Sequence, residues 1–251
     1  MSLPLVLLHG WGLTPAVWRP LVQALPAMPD LRTPALPGHA GAPAAPPELH
    51  AWSDALLPQL PDGTAVLCGW SLGGLIALDL AARHPERVAR LILIGATPRF
   101  VSAPPAGAAD PWPHGLDAAA AQDFVTRFGL DPTAAMQRFT ALQALGDGRR
   151  RAVSAALAEA LDDTGPENTS ALADGLRVLT TADLRPAAAR IGQPALLLHG
   201  DGDALMPVGA AQWLAGCLPR AQLLRFSDCG HAPFVSRPAE CAAAIGRFVL
   251  D

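Results

Sequence analysis

Six short apolar runs punctuate this chain, at residues 3–8, 31–35, 65–68, 90–94, 195–199 and 222–226. Most are rich in Leu, Ile and Val and show little of the apolar–polar alternation of a half-exposed strand. Such runs read as strands covered on both faces. Helical patterns lie between them, for example over 72–84, 208–217 and 238–250. Parallel strands need a crossover connection, and a helix is the usual one. The expected fold class is therefore α/β, a mostly parallel sheet of about six strands flanked by helices.

The alternation stops between Phe100 and Arg185. Residues 102–115 are rich in Pro, Gly and Ala, and four helical patterns follow, at 118–128, 132–145, 149–161 and 167–179. A strand-free insert in such a chain reads as a helical cap. It would lie over the carboxyl ends of the strands, where open α/β sheets bind ligands. The expected organisation is a core of residues 1–99 and 186–251 with a cap of residues 100–185.

Composition narrows the function. With 51% hydrophobic and 16% charged residues, the chain packs a core and is not disordered. The net charge is −4 without a basic tail or stripe, which argues against nucleic acid as a ligand. The N-terminus lacks a positive region, and its apolar run is too short for a signal peptide or a membrane span. A cytoplasmic location away from the membrane is expected. Cys68, Cys217, Cys229 and Cys241 form no C-x-x-C and no zinc-ligand spacing, so free thiols and no metal are expected.

The chemistry concentrates at Gly69-Trp70-Ser71-Leu72-Gly73, between the run ending at Cys68 and a helical pattern. A strand–turn–helix G-x-S-x-G resembles the nucleophile turn of the α/β-hydrolase fold, and Gly74 extends it to G-W-S-L-G-G. The glycines permit a sharp turn that lifts the serine hydroxyl out of the sheet. The helix start behind it favours developing negative charge. His9-Gly10-Trp11-Gly12 follows the first run, and an H-G loop there supplies one oxyanion-hole N–H in such hydrolases. Trp11 and Leu72 are thus the expected backbone donors. A serine hydroxyl needs a base, and the base needs a carboxylate to fix its tautomer, in the order Ser…Asp…His. Asp201 and Asp203 both follow the fifth run; the fold's spacing of Gly, two residues, Asp, then Pro four further on selects Asp203. Past the last run stands Gly230-His231, the expected base. His9, His39, His50, His84, His114 and His199 have structural or loop readings, and Cys229 is outranked as a nucleophile by Ser71. No cofactor is needed.

A narrower resemblance rests on L-L-H-G-W-G at 7–12, G-W-S-L-G-G at 69–74, H-P-E-R-V at 84–88, F-x-A-L-Q at 139–143 and H-A-P-F-x-S-x-P-A-E at 231–240. Together these resemble the pimeloyl-[acyl-carrier protein] methyl ester esterases of biotin synthesis. The resemblance implies a carboxylesterase, expected to act as a monomer, that frees a distal carboxylate on pimeloyl-acyl-carrier protein. It implies substrate contacts at Trp11, Ser71, Leu72, Phe139, Thr140, Ala141, Leu142, Gln143 and His231. It implies carrier docking by cap arginines, with Arg138 and Arg151 matching best and Arg149 and Arg150 adjacent. From the residues alone, Phe139, Leu142 and Gln143 share a helix face. Gln143 there either orients an ester or lies at the rim with its amide in water. From Arg127 to Arg151 five Arg face Asp131 and Asp147, a local net of +3 that either steers an acidic partner or is a solvated face.

Departures from the family pattern are also legible. The chain begins almost at the first core strand, so one or two preceding strands are expected to be missing. Ala35 stands where an acid is expected, and Ala40 separates His39 from Gly41. Competing readings are a general short-chain carboxylesterase, lactonase or carbon–carbon hydrolase of the same fold, and a non-catalytic ligand receptor. The receptor is disfavoured because no triad position is lost.

Overall fold

A computed structural model of the chain describes residues 3–28, 30–103, 111–162 and 165–250. Six strands form one sheet: β1 (Leu5–Leu8), β2 (Leu31–Arg32), β3 (Ala65–Trp70), β4 (Val88–Ile94), β5 (Ala195–Gly200) and β6 (Ala221–Phe226). Their order is β2-β1-β3-β4-β5-β6, and every neighbouring pair is parallel. The helices are α1 (Arg19–Ala24), α2 (Leu49–Leu56), α3 (Leu72–Arg83), α4 (Ala118–Leu130), α5 (Pro132–Gln143), α6 (Arg150–Ala158), α7 (Pro166–Thr181), α8 (Arg185–Ala188), α9 (Val208–Cys217), α10 (Pro233–Ser236) and α11 (Pro238–Leu250).

The central strands are buried on both faces, as their unbroken apolar runs require. Alternate residues of the same strands feed two clusters. Val6, Leu8, Leu67, Leu91, Leu93 and Leu197 join one that includes α2, α3 and α9. Leu5, Leu7, Val66, Cys68, Ile92, Ile94 and Leu198 join another that includes α11. The two edges depart from the sequence reading. β2 stops at Arg32 and does not reach Ala35, since Pro34 has no N–H for the ladder. β6 exposes Gln222, Leu224 and Arg225, because an edge strand is covered less completely than a central one.

Four longer helices, α4–α7, and the short α8 occupy the interval between β4 and β5. Asp117 caps α4 through the N–H groups of Ala119 and Ala120, and Asp131 caps α5 through that of Ala134. Part of the Pro/Gly/Ala-rich segment, 104–110, lies outside the described residues. Phe128, Met136, Phe139, Leu172 and Leu176 of this insert belong to the same cluster as Trp11 and Leu72, so the insert packs directly onto the ends of β1 and β3. No described helix is long and apolar enough to cross a membrane.

Candidate active site

Ser71 sits between β3 and α3 at φ 56° and ψ −117°, a left-handed conformation that costs a non-glycine residue about 1–3 kcal/mol. The turn closes around it: the Ser71 N–H donates to Ile94 O at 3.2 Å, and its carbonyl accepts from Gly74 and Leu75. Gly73 is obligatory here, because a Cβ on it would overlap the backbone oxygens of Leu8 and His9. Leu72 is the first residue of α3, where N–H groups have no intrahelical acceptor. Among the described residues nothing accepts from the Trp11 N–H.

Two buried histidines fix the loop that carries Trp11. His9 Nδ1 donates to Gly10 O, and its Nε2 accepts from Leu36 N at 3.0 Å. His39 Nδ1 donates to Pro37 O, and its Nε2 accepts from Gly12 N at 3.0 Å. Each ring needs one bare nitrogen for this, so both must be neutral. Burial, reinforced by the neighbouring His39, lowers His9 to about 3, and burial lowers His39 as well. Both rings work as hydrogen-bonding struts.

Asp203 and His231 come together past the ends of β5 and β6. Asp203 Oδ2 lies 2.7 Å from His231 Nδ1, and both side chains are buried. Asp203 Oδ1 accepts from the N–H groups of Leu205 and Met206, each at 2.9 Å. Burial alone would raise this carboxyl. The charge and hydrogen bond of His231, the nearby His199 and the Met206 N–H outweigh it and hold Asp203 below the usual carboxylate range. Asp201 instead pairs with Arg225 at 2.7 Å on the surface, which removes it as the partner of His231. His231 Nε2 is buried with no hydrogen-bond partner among the described residues. Cys229 is no rival nucleophile, because burial and then the Asp147 charge push its thiol up to about 12.

Three supports of this pair were not singled out from sequence. The Trp70 indole donates to His231 O at 2.9 Å. His199, kept neutral by burial, donates from Nε2 to Met206 O at 2.7 Å and so braces the acid loop. The His231 N–H donates to Gln143 O at 3.0 Å, which ties the base to the insert. Only the histidine at the end of β5 and the tryptophan inside the G-W-S motif left any local signal.

On α5, Phe139, Thr140 and Gln143 are buried and Leu142 is half-buried. Gln143 is only 2% exposed and its Oε1 is buried without a partner among the described residues, so its side chain does not lie at a wet rim. Ala141 is exposed; at 100° per residue it faces away from Phe139 and Gln143, and it does not join the inward group. Trp11 packs edge-on against Phe124, Phe128 and Phe139 while its indole donates to Leu172 O. Arg138, Arg150 and Arg151 are exposed, and among the described residues no ion pair or side-chain hydrogen bond engages Arg150 or Arg151. Arg149 differs, because its guanidinium donates to Ser236 O at 2.8 Å on the core. Among the described residues no group of three His, Cys, Asp or Glu side chains could hold a metal.

The alpha/beta hydrolase fold profile matches residues 4–238. A pimeloyl-[acyl-carrier protein] methyl ester esterase from Aromatoleum aromaticum is 59% identical over 96% of both chains. The chain belongs to the alpha/beta hydrolase fold family, among these esterases. A second esterase of that name, from Nitrosomonas europaea, is 39% identical to this hydrolase over 94% of its chain and 91% of the relative. A biotin biosynthesis bifunctional protein from Teredinibacter turnerae is 38% identical over 98% of the hydrolase and 44% of the relative. Among solved structures, a bromoperoxidase from Bacillus anthracis matches with a TM-score of 0.84 at 23% identity, covering 100% of the hydrolase and 93% of that chain. An Exiguobacterium antarcticum esterase matches with a TM-score of 0.82 at 20% identity, covering 100% and 94%. These last two share the fold.

The two histidine struts carry a pH dependence. Unfolded imidazoles bind protons below about pH 6.5, whereas His9 and His39 resist protonation in the fold, so stability is full above that pH and falls as pH drops below it. We expect the denaturation midpoint to fall between about pH 7 and pH 5. His39→Gln should cost about 1–3 kcal/mol at neutral pH, since it disturbs the acceptor for the buried Gly12 N–H, yet it should reduce the acid-dependent fall. Denaturant titrations of both proteins at the two pH values check this; an equal fall in both contradicts it.

Proposed function

We propose that this hydrolase cleaves the methyl ester of pimeloyl-acyl-carrier protein, freeing the distal carboxylate and releasing methanol, in biotin synthesis. The observation that carries the chemistry is the buried 2.7 Å contact between His231 and Asp203, beside a strained Ser71, with His231 Nε2 left without a partner among the described residues. The names of the relatives support the substrate. A cytoplasmic, monomeric enzyme that needs no cofactor, membrane or nucleic acid is part of this reading.

Ser71 Oγ attacks the ester carbonyl while His231 Nε2 takes its proton. Asp203 holds the Nδ1–H tautomer and stabilises the imidazolium. The N–H groups of Trp11 and Leu72 receive the oxyanion, where each such donor is typically worth about 10²–10³ in turnover. Collapse expels methoxide, which leaves as methanol with the proton from His231, and the acyl group stays on Ser71. Water, deprotonated by His231, then attacks the acyl-enzyme and releases the carboxylate. The insert acts as a cap, and Trp11, Phe139, Leu142 and the buried Gln143 amide form a mostly apolar slot with one polar group to orient the ester.

Arg138, Arg150 and Arg151 are the docking surface for the acidic carrier. Arg150 and Arg151 stand in the first turn of α6, which holds no acid, so they oppose the helix dipole. That local cost favours a role outside the helix. Three alternatives fit the triad equally, a general short-chain esterase, a lactonase and a carbon–carbon hydrolase; substrate profiling separates them.

Ser71→Ala and His231→Ala should each lower kcat by about 10⁴–10⁶ with folding intact, and Asp203→Asn by about 10⁴. Asp201→Asn should stay near wild type; a larger loss there than at Asp203 would overturn the assignment of the acid.

The docking surface has its own test. Arg150→Ala with Arg151→Ala should lower kcat/KM for the carrier-bound ester at least about tenfold at low salt, and less at high salt. A p-nitrophenyl ester never meets the patch and should be unaffected. Arg149 is left intact because it is bonded to the core. If both substrates fall together, these arginines support the fold and do not dock a partner.

A further inference from the structure

The corner between α5 and α6 holds a buried carboxylate that the triad does not use. Asp147 is 7% exposed, and three donors converge on it. Oδ2 accepts from the Gly230 N–H at 3.0 Å. Oδ1 accepts from the Arg149 N–H at 2.7 Å and from the Ser236 hydroxyl at 2.9 Å. Ser236 Oγ in turn accepts from Arg237 Nη1 at 2.8 Å, so the negative charge is linked through one hydroxyl to a cation. Donors press on both oxygens, and only an acceptor-only group satisfies that arrangement.

These bonds span two parts of the molecule. Asp147 and Arg149 belong to the insert, whereas Gly230 and Ser236 flank His231 in the core. The next N–H along, that of His231, donates to Gln143 O, also of the insert. Gly148 N donates to Asp228 O, and Arg149 Nη1 donates to Ser236 O. The same corner meets the acid loop: Gly146, at φ 80°, lies so close to Gly202 that a Cβ on it would overlap the Gly202 carbonyl oxygen. Gly202 N donates to Cys229 O, closing the circle between the two catalytic loops.

We propose that Asp147 is a positioning residue that clamps the His231 loop to the insert and thereby sets the His231–Asp203 geometry. The proposal rests on the catalytic reading above. It goes further in making the insert a part of the catalytic framework as well as a wall of the slot. Two successive N–H groups, of Gly230 and His231, are fixed by the insert, so the base has little freedom to rotate away from Asp203. Misplacing a catalytic group by about 1 Å can cost about a hundredfold, so a clamp of this kind acts on turnover.

The test uses the full chain and a soluble p-nitrophenyl ester, so that carrier docking plays no part. Asp147→Asn preserves size but turns an amide N–H₂ toward either Gly230 or the Arg149 and Ser236 donors. The expected result is a folded protein whose KM stays within about twofold while kcat falls at least about tenfold. The low-field proton resonance of His231 Nδ1–H should shift or broaden. A merely structural aspartate would leave that resonance unchanged in the folded fraction, with activity lost only in proportion to unfolding; that result overturns the proposal, as does a kcat within twofold of wild type. Should Asp147→Asn fail to fold, Ser236→Ala removes one donor from the same carboxylate. It should lower kcat about threefold or more with the same change in resonance, and unchanged kcat and resonance would overturn the clamp. His231→Gln serves as the control: if it retains activity, the catalytic reading itself fails, and if it is dead while Asp147→Asn is normal, only the clamp fails.

Discussion

The 2.7 Å contact between His231 and Asp203 is the interaction around which the rest of the molecule is arranged. A carboxylate with no exposed side-chain surface is costly unless its oxygens are satisfied. Here two backbone N–H groups and an imidazole satisfy it, so Asp203 stays ionised in the interior. Everything that fixes those donors matters to the site. β5 delivers the Asp203 loop, His199 braces that loop, and Trp70 holds the carbonyl of His231. The sheet brings these pieces together because parallel order places the carboxyl ends of β1, β3, β4 and β5 on one side.

Ser71 shows the complementary constraint. Its left-handed backbone is unfavourable by itself and persists because the surroundings over-determine it. Gly73 lets α3 approach β1, and the Ser71 N–H is anchored to β4. Local strain is thus held by burial of the flanking strands. His9 and His39 do the same for the Trp11 loop, as neutral struts whose bare nitrogens accept backbone N–H groups.

Much of this was legible in the sequence, and the reasons differ by element. The central strands announced themselves because burial on both faces demands unbroken apolar runs; β2 ended early at Pro34, and β6 lay open at the edge. The order of Ser71, Asp203 and His231 was legible because order and loop neighbours are tied to the fold, and the structure brings Asp203 and His231 within 2.7 Å. Asp203 and Asp201 were separable only by spacing, and the ion pair of Asp201 with Arg225 gives the physical reason. Asp147 read as one charge among several on a basic stretch. Its burial depends on where the insert folds back onto residues some eighty positions away, which no local pattern reports. The bond of Arg149 to the core is hidden for the same reason, since its partner Ser236 lies 87 positions away. Gln143 could face either slot or water until the packing of α5 turned it inward.

The central claim is that Ser71 is the nucleophile, activated by the His231–Asp203 pair. Reaction with a fluorophosphonate followed by peptide mass mapping tests it most directly. One phosphonyl group on Ser71, formed quickly in the native protein and very slowly in Asp203→Asn, is the expected result. Modification of another residue, or full ester hydrolysis by a protein in which Ser71 remains unlabelled, would contradict it.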